Sequence, residues 1–133
     1  MTEYMLDTNM CIAIMKGHPN VCSKIISIDP SQVSISGIVL AELTYGVCKS
    51  VQKKRNQKAL KDFCSMCTIF DWPAQAADTY GQIRASLEKQ ERAIGANDLL
   101  IAAHAKHMGM ILITNNTREF ERVPGLHIED WSQ

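Results

Sequence analysis

The sequence contains no apolar segment long enough to cross a membrane. No stretch among its 133 residues approaches the roughly 18 continuous apolar residues of a membrane-spanning helix. The chain also lacks the basic start and apolar centre of a signal peptide, and its five cysteines are an odd number. We therefore expect a cytoplasmic protein with reduced thiols, because disulfides persist mainly in oxidising compartments.

The chain has no net charge, because 14 lysines and arginines balance 14 aspartates and glutamates. A neutral chain has no overall attraction for nucleic acid, so a polyanionic substrate would need a local basic patch. One basic run exists, either as a solvated helix face or as a surface that follows a phosphate backbone. Its members are Lys49, Lys53, Lys54, Arg55, Lys58 and Lys61.

The sequence also lacks internal repeats, low-complexity segments and linkers. Its 133 residues, of which 46% are hydrophobic, fit one domain with one core over residues 1–133. Strands that alternate with helices predict an α/β fold with a mostly parallel central sheet flanked by helices. Thr8 or Asn9 is predicted to cap the first helix. Strands are predicted at 3–7, 33–36, 68–70, 110–114 and 126–128, and helices at 10–16, 21–28, 37–49, 50–67, 74–90 and 96–107.

Three carboxylates stand beside apolar segments, where a core normally has no charge. Asp7 follows the first strand, Glu42 interrupts an apolar helix, and Asp98 immediately precedes another. A carboxylate in such surroundings is costly unless a cation meets it. We infer that the three converge, and the partner that best suits a carboxylate cluster is a divalent metal, Mg²⁺ or Mn²⁺. Asp7 and Asn116 both follow strands, and ligands of parallel sheets bind at that edge.

Four short segments resemble a known family. They are Met-Leu-Asp-Thr-Asn at 5–9, Leu-Ala-Glu-Leu-Thr-Tyr-Gly at 40–46, Asn-Asp-Leu-Leu-Ile-Ala-Ala-His-Ala at 97–105 and Ile-Thr-Asn-Asn-Thr-Arg-Glu-Phe at 113–120. In this order and spacing they resemble PIN-domain ribonucleases, specifically the VapC-type toxins of type II toxin–antitoxin systems. The resemblance covers nearly the whole chain.

This resemblance implies a PIN-like domain that acts as a Mg²⁺-dependent endoribonuclease, with Mn²⁺ able to substitute. Similar family members cut the anticodon loop of initiator transfer RNA and so inhibit translation. The resemblance further implies a homodimer and a cognate VapB-type antitoxin that blocks the site. DNA would be contacted only through the antitoxin.

The resemblance also suggests roles for individual residues. Asp7, Asp98 and Glu42 would be the catalytic metal ligands, with Glu42 acting less directly because its side chain is longer. Asn116 and Glu119 would complete the catalytic site by holding the metal or its waters. Simpler interpretations are a helix cap for Asp7, a favourable charge at a helix start for Asp98, and turn and helix-start positions for Asn116 and Glu119.

Smaller features accompany these five residues. Thr8, Asn9 and Thr114 would orient the acids, unless they only cap helices or turns. Many relatives have an aspartate at the position of Asn116. This chain has a neutral side chain there, so that part of the proposed metal site carries no charge. Relatives often have Gly-Arg-Pro-Ile-Gly where this chain has Glu-Arg-Ala-Ile-Gly at 91–95.

Two other functional classes remain open. An aspartyl phosphatase also has an aspartate after its first strand, but it normally has a second one two residues later, where this chain has Asn9. A PIN-like module without catalysis would only bind RNA or a partner, although all three acids are present.

Cys64 and Cys67 form a lone Cys-x-x-Cys. A structural zinc site needs four ligands, so we interpret these two residues as buried thiols.

Overall fold

A computed structural model describes residues 2–133, in which five strands form one sheet in the order β3-β2-β1-β4-β5. All four strand pairings are parallel. The central strand pairs Met5 with Ser34 on one side and with Leu112 on the other. This sheet confirms the predicted α/β fold. The strands are β1 Tyr4–Leu6, β2 Val33–Ser36, β3 Thr68–Phe70, β4 Ile111–Ile113 and β5 Ile128–Glu129.

Seven α-helices flank the sheet. The first packs against the second, third and fourth, whereas the sixth packs against the third and fifth. Short 3₁₀ helices span Pro30–Gln32 and Ala74–Ala76. Across residues 2–133, we find no helix with both the length and the hydrophobicity of a transmembrane span. The α-helices are α1 Thr8–Met15, α2 Pro19–Ile26, α3 Gly37–Lys49, α4 Lys53–Cys64, α5 Ala77–Lys89, α6 Ala96–Met108 and α7 Thr117–Phe120.

The predicted cap of the first helix was wrong. Helix α1 begins at Thr8, and Asp7 is its N-cap, with an extended backbone and a side chain that accepts from the Thr8 amide at 2.8 Å. The strand therefore ends one residue earlier than predicted. The acid that the sequence marked as a ligand candidate is also the junction between β1 and α1.

Other predicted bounds needed smaller corrections. The helix predicted at 50–67 is only Lys53–Cys64, because Ser50 ends the preceding helix by donating a hydrogen bond to the Val47 carbonyl at 2.8 Å. The helix predicted at 74–90 begins as a 3₁₀ turn. The strand predicted at 126–128 is Ile128–Glu129. The bounds predicted for β2, α3 and β3 agree with the structure.

The core lies on the central strands and on α6. Met5, Leu6 and Leu112 are completely buried, as is Phe120 of the short α7. Burying a side chain of this kind stabilises a fold by roughly 1.5–3 kcal/mol. Near the end of the chain, Trp131 is buried and packs edge-on against Tyr4, with ring centroids 5.3 Å apart. These contacts hold β1, and with it the start of α1, in a rigid setting.

Helix α5 ends in a Schellman motif that contains an unusual residue. The Arg92 amide donates to the Leu87 carbonyl at 2.8 Å, and the Glu91 amide donates to the Glu88 carbonyl at 3.1 Å. Glu91 has a φ of 56°, which makes it the one non-glycine residue with positive φ in the described chain. Glycine is usual at this position of a Schellman motif, because it adopts positive φ without steric strain. The motif therefore holds Glu91 in a strained conformation.

We expect Glu91→Gly to raise the free energy of unfolding by about 0.5–1 kcal/mol. Glycine adopts positive φ without the steric clash of a Cβ, and this gain exceeds the added freedom of the unfolded chain. Urea unfolding would measure the change. The control Glu88→Gly lies within the helix and should lower stability by about 1 kcal/mol. Equal losses for both variants would contradict the strain at Glu91.

Candidate active site

Asp7 is buried at the carboxyl end of the central strand, with 5% of its surface exposed. Its backbone amide donates to the Ile113 carbonyl at 2.9 Å, which places it beside the end of β4. One carboxylate oxygen accepts from the Thr8 amide, and the other accepts from the Thr114 hydroxyl, each at 2.8 Å. The carboxylate is therefore fixed by the first residue of α1 and by the residue that follows β4.

Glu42 reaches the same edge from α3. Its Oε1 accepts from the Thr8 hydroxyl at 2.7 Å. Thr8 thus connects the two acids, because its backbone amide donates to Asp7 and its hydroxyl donates to Glu42. Its Oε2 accepts from the Asn97 side-chain amide at 3.5 Å. No role was predicted for Asn97, although it begins the family-like segment at 97–105 and directly precedes Asp98. Thr8 and Thr114 contact the acids as predicted for orienting residues.

Asp98 lies in the first turn of α6, half-buried and close to α7. The Glu119 carboxyl lies close enough to raise the pKa of Asp98, and the Asn116 side-chain amide donates to Glu119 at 3.0 Å. The Asn116 backbone amide in turn donates to the Thr114 hydroxyl at 3.0 Å. The five residues that the sequence singled out thus form one neighbourhood. Asn9, by contrast, donates to the exposed Asn115 side chain at 3.4 Å and contacts none of the acids by a hydrogen bond.

The pKa values of two acids reflect this crowding. Burial raises the pKa of Asp98 to about 7, helped by the Glu119 hydrogen bond and by the charges of Asp7, Glu119 and Glu42. Burial also raises the pKa of Asp7, although hydrogen bonds from Thr114 and Thr8 oppose the change. Each shift shows that the ionised form is destabilised by lost water and by like charges. The cluster would be stabilised by a cation.

The chemistry of the donors fits Mg²⁺ or Mn²⁺. These ions prefer oxygen ligands, and the convergent side chains here offer carboxylate oxygens, whereas zinc would favour histidine or cysteine. Among residues 2–133, however, no three histidine, cysteine, aspartate or glutamate side chains already stand at the spacing of a bound ion. These side chains would therefore have to move before three of them could coordinate one ion.

A buried hydrogen bond joins the two helices that carry Glu42 and Asp98. His104 of α6 is completely buried, and its Nδ1 lies 2.8 Å from the hydroxyl of Ser36, the N-cap of α3. Burial lowers the pKa of His104, and nearby His107 lowers it further. The His104 Nε2 atom has no hydrogen-bond partner within the described chain. A neutral His104 therefore ties α6 to the start of α3.

The match to a protein family agrees with this geometry. Residues 4–126 match the family described as PIN domain. The chain is also 45% identical to the tRNA(fMet)-specific endonuclease VapC of Shigella flexneri, over 99% of this chain and 100% of that protein. This chain belongs to the VapC group of the PIN-domain family. A second VapC of the same description, from Salmonella typhimurium, is 43% identical over 98% of this chain and 99% of that protein.

Solved VapC-family structures share the fold. The structure of VapBC2 from Rickettsia felis, bound to a DNA fragment from its promoter, contains a chain with a TM-score of 0.91 and 42% identity, covering 98% of this chain and 99% of that one. The DNA-bound VapBC of Salmonella typhimurium gives a TM-score of 0.92 at 43% identity, with the same coverage. The predicted VapC-type resemblance is confirmed. The homodimer and the cytoplasmic location stay predictions.

We expect Asp98→Asn to stabilise the metal-free protein at pH 8 but not near pH 4. The folded pKa is about 7 and the ordinary value is 3.8, so the wild-type folded state binds an extra proton between these values and loses stability as pH rises through them. The asparagine variant avoids this loss. Because Asp98 is half-exposed, solvent screening reduces the gain to the order of 1 kcal/mol.

Thermal unfolding in a chelator between pH 4 and 8 would measure this difference. Asp78→Asn is the matched control, because Asp78 is also a first-turn aspartate, but on α5 and exposed. A gain for Asp98→Asn that is the same at pH 4 and pH 8 would contradict the raised pKa.

Proposed function

We propose that this protein is a metal-dependent endoribonuclease, the toxin component of a type II toxin–antitoxin system. Its substrate would be initiator transfer RNA, cut in the anticodon loop so that translation stops. The observation that carries the proposal is the convergence of Asp7, Glu42 and Asp98 at the carboxyl edge of the sheet. The names of the Shigella and Salmonella relatives support the choice of RNA.

Asp7, Asp98 and Glu42 would hold Mg²⁺ or Mn²⁺. When bound, such an ion lowers the pKa of a coordinated water and stabilises charge on a phosphodiester. Thr8 and Thr114 keep the carboxylates of Glu42 and Asp7 in place by donating hydrogen bonds to them. Positioned acids of this kind avoid reorganisation at the moment of reaction.

The proton on Asp98 competes with the cation. Its raised pKa means that the carboxyl is substantially protonated near neutral pH when no metal is present. The proton must leave before both oxygens of Asp98 can serve as ligands, and Glu119 is one of the neighbours that raise the pKa of Asp98. Asn116 holds Glu119 through a 3.0 Å hydrogen bond and thereby keeps this neighbour next to Asp98.

Hydrolysis at this site would leave a 5′-phosphate and a 3′-hydroxyl. A ribonuclease that uses the 2′-hydroxyl as nucleophile usually needs histidines as acid and base. His104 is unsuited to that role, because it is completely buried and burial lowers its pKa. The acids are thus the better candidates for the reaction.

We expect Asp98→Asn to reduce cleavage of initiator transfer RNA by at least about a thousandfold, because it removes a charged ligand from the proposed ion. The measurement is cleavage of purified transfer RNAs with Mg²⁺ or Mn²⁺, beside a chelated sample. Asp78→Asn serves again as the control and should retain activity. A fully active Asp98→Asn protein would refute the assignment of the acids.

The alternative function is a PIN module that binds RNA or a partner without cutting. The same experiment separates the two, because such a module would bind transfer RNA but leave it intact with either metal. A cut that persists in chelator would exclude the metal-dependent mechanism. A single metal-dependent cut in one anticodon loop would identify both the reaction and its substrate.

A separate surface suits the cognate VapB-type antitoxin, which we propose as the partner. An apolar groove of about 470 Å³ lies between α1, α2 and α4, close to the acidic site but outside it. Ile26 and Met66 line it and expose 82% and 66% of their surfaces, respectively. Large exposed apolar residues around a groove are typical of a protein-binding surface. The VapBC complexes among the relatives support this partner.

We expect Ile26→Lys to weaken antitoxin binding at least about tenfold, because it places a charge in an apolar contact. Transfer RNA cleavage should stay within twofold of wild type. Calorimetry with the purified antitoxin would measure the loss. Val51→Lys is the control, because Val51 is fully exposed but lies outside the groove. Equal affinities for the two variants would place the antitoxin elsewhere.

A further inference from the structure

A second groove begins at the acidic site and runs away from it between α1, α3 and α4. Its volume is about 700 Å³, and Glu42 lies on its wall together with Lys16, Arg55 and Asn56. Glu42 also belongs to the acid cluster, through Thr8. Anything that lies in this groove would therefore extend directly to the proposed scissile bond.

Two cations, Lys16 and Arg55, line this groove together with Glu42, and no acid among residues 2–133 pairs with either of them. Arg55 donates one hydrogen bond, from Nη1 to the Gln52 side chain at 3.1 Å, which leaves other N–H groups available. A guanidinium on α4 and an ammonium at the end of α1, both lining one groove, suit binding to a phosphate backbone.

The rest of the basic run is arranged differently. Lys58 is paired with Asp62 at 3.0 Å, and Lys49 lies over the Tyr45 ring at 5.0 Å from its centroid. Arg55 is the only member of the run that lines the groove containing Glu42. Most of the run therefore fits the interpretation as a solvated helix face. Arg55, which lines the groove that contains Glu42, fits the interpretation as a surface that contacts phosphates.

A glycine keeps the groove open beside the acid. Gly46 lies one helical turn after Glu42 and lines the groove, and a Cβ built on it would meet no atom within 4 Å. A side chain at this position would therefore project into open space without disturbing the core. Gly46 provides a steric probe of the groove that leaves its charge unchanged.

We propose that this groove, the phosphate groove, holds the RNA strand on one side of the scissile bond, with Lys16 and Arg55 contacting its phosphates. The inference rests on the proposed ribonuclease function and adds the path of the substrate. It also explains how an acidic site on a neutral chain attracts a polyanion, because cations offset the acids where the strand enters.

The first test is steric. Gly46→Leu should raise the KM for initiator transfer RNA at least about tenfold and leave kcat within twofold, because it obstructs binding but not the acids. Gly81→Leu is the matched control, since Gly81 is also helical, on α5, with no atom within 4 Å of its built Cβ. Both substitutions favour the helix, so thermal unfolding should show no loss of stability.

The second test is electrostatic and covers the case in which Gly46→Leu fails to fold. Arg55→Ala and Lys16→Ala should each raise KM several-fold and reduce the slope of log affinity against log salt by about one. Lys53→Ala, on the same helix as Arg55 but outside the groove, should change neither. Wild-type values of KM and salt slope in Arg55→Ala and Lys16→Ala would overturn the proposal.

Metal-free binding distinguishes this proposal from the nuclease reaction. The affinity of each variant for initiator transfer RNA is measured in a chelator, where cleavage is not required. Weaker binding by the groove variants supports the phosphate groove even if wild type never cuts RNA. Normal cleavage with an unchanged KM in every variant would overturn the phosphate groove but would leave the proposed ribonuclease function in place. Unchanged RNA binding together with lost antitoxin binding would assign the groove to the protein partner and overturn the proposal.

Discussion

The structure depends on one buried carboxylate, that of Asp7, at the end of the central strand. Asp7 caps α1, receives the Thr114 hydroxyl from the end of β4, and shares Thr8 with Glu42. Removing this charge from water is unfavourable, and each of these hydrogen bonds offsets part of that penalty. The edge of the sheet is therefore organised around a group that the core would otherwise exclude. Asp7 therefore follows β1, caps α1 and contributes a carboxylate to the candidate active site.

Glu42 and Asp98 lie near Asp7 because the helices that carry them, α3 and α6, are held against each other. The contact between His104 and Ser36 joins α6 to the start of α3 within the core, one turn and a half from Asp98 and Glu42 on their respective helices. Burial, together with the neighbouring acids, raises the pKa of Asp98 and makes its ionised form less favourable. Clusters of destabilised acids of this kind are common at functional sites.

A neutral net charge conceals a strongly uneven surface. Acids crowd the sheet edge, unpaired cations line the groove that leads from it, and an apolar groove with exposed Ile26 and Met66 lies beyond α1. RNA and a protein partner would thus meet neighbouring but chemically distinct surfaces that both involve α1 and α4. Binding at one could affect the other, since residues such as Met15 line both grooves.

The sequence by itself determined the order of the five strands and the six longer helices, the bounds of β2, α3 and β3, and the acids that stand at apolar segments, but it predicted no helix over Thr117–Phe120. Alternation and helical spacing are local patterns, so they survive in any fold that buries the same faces. Only the tertiary structure decided that Asp7, rather than Thr8 or Asn9, caps α1, that Asn97 reaches Glu42, and that Arg55 alone of its run lines the groove that contains Glu42. These facts depend on which side chains from distant segments point at one another, and that relation is absent from local sequence patterns.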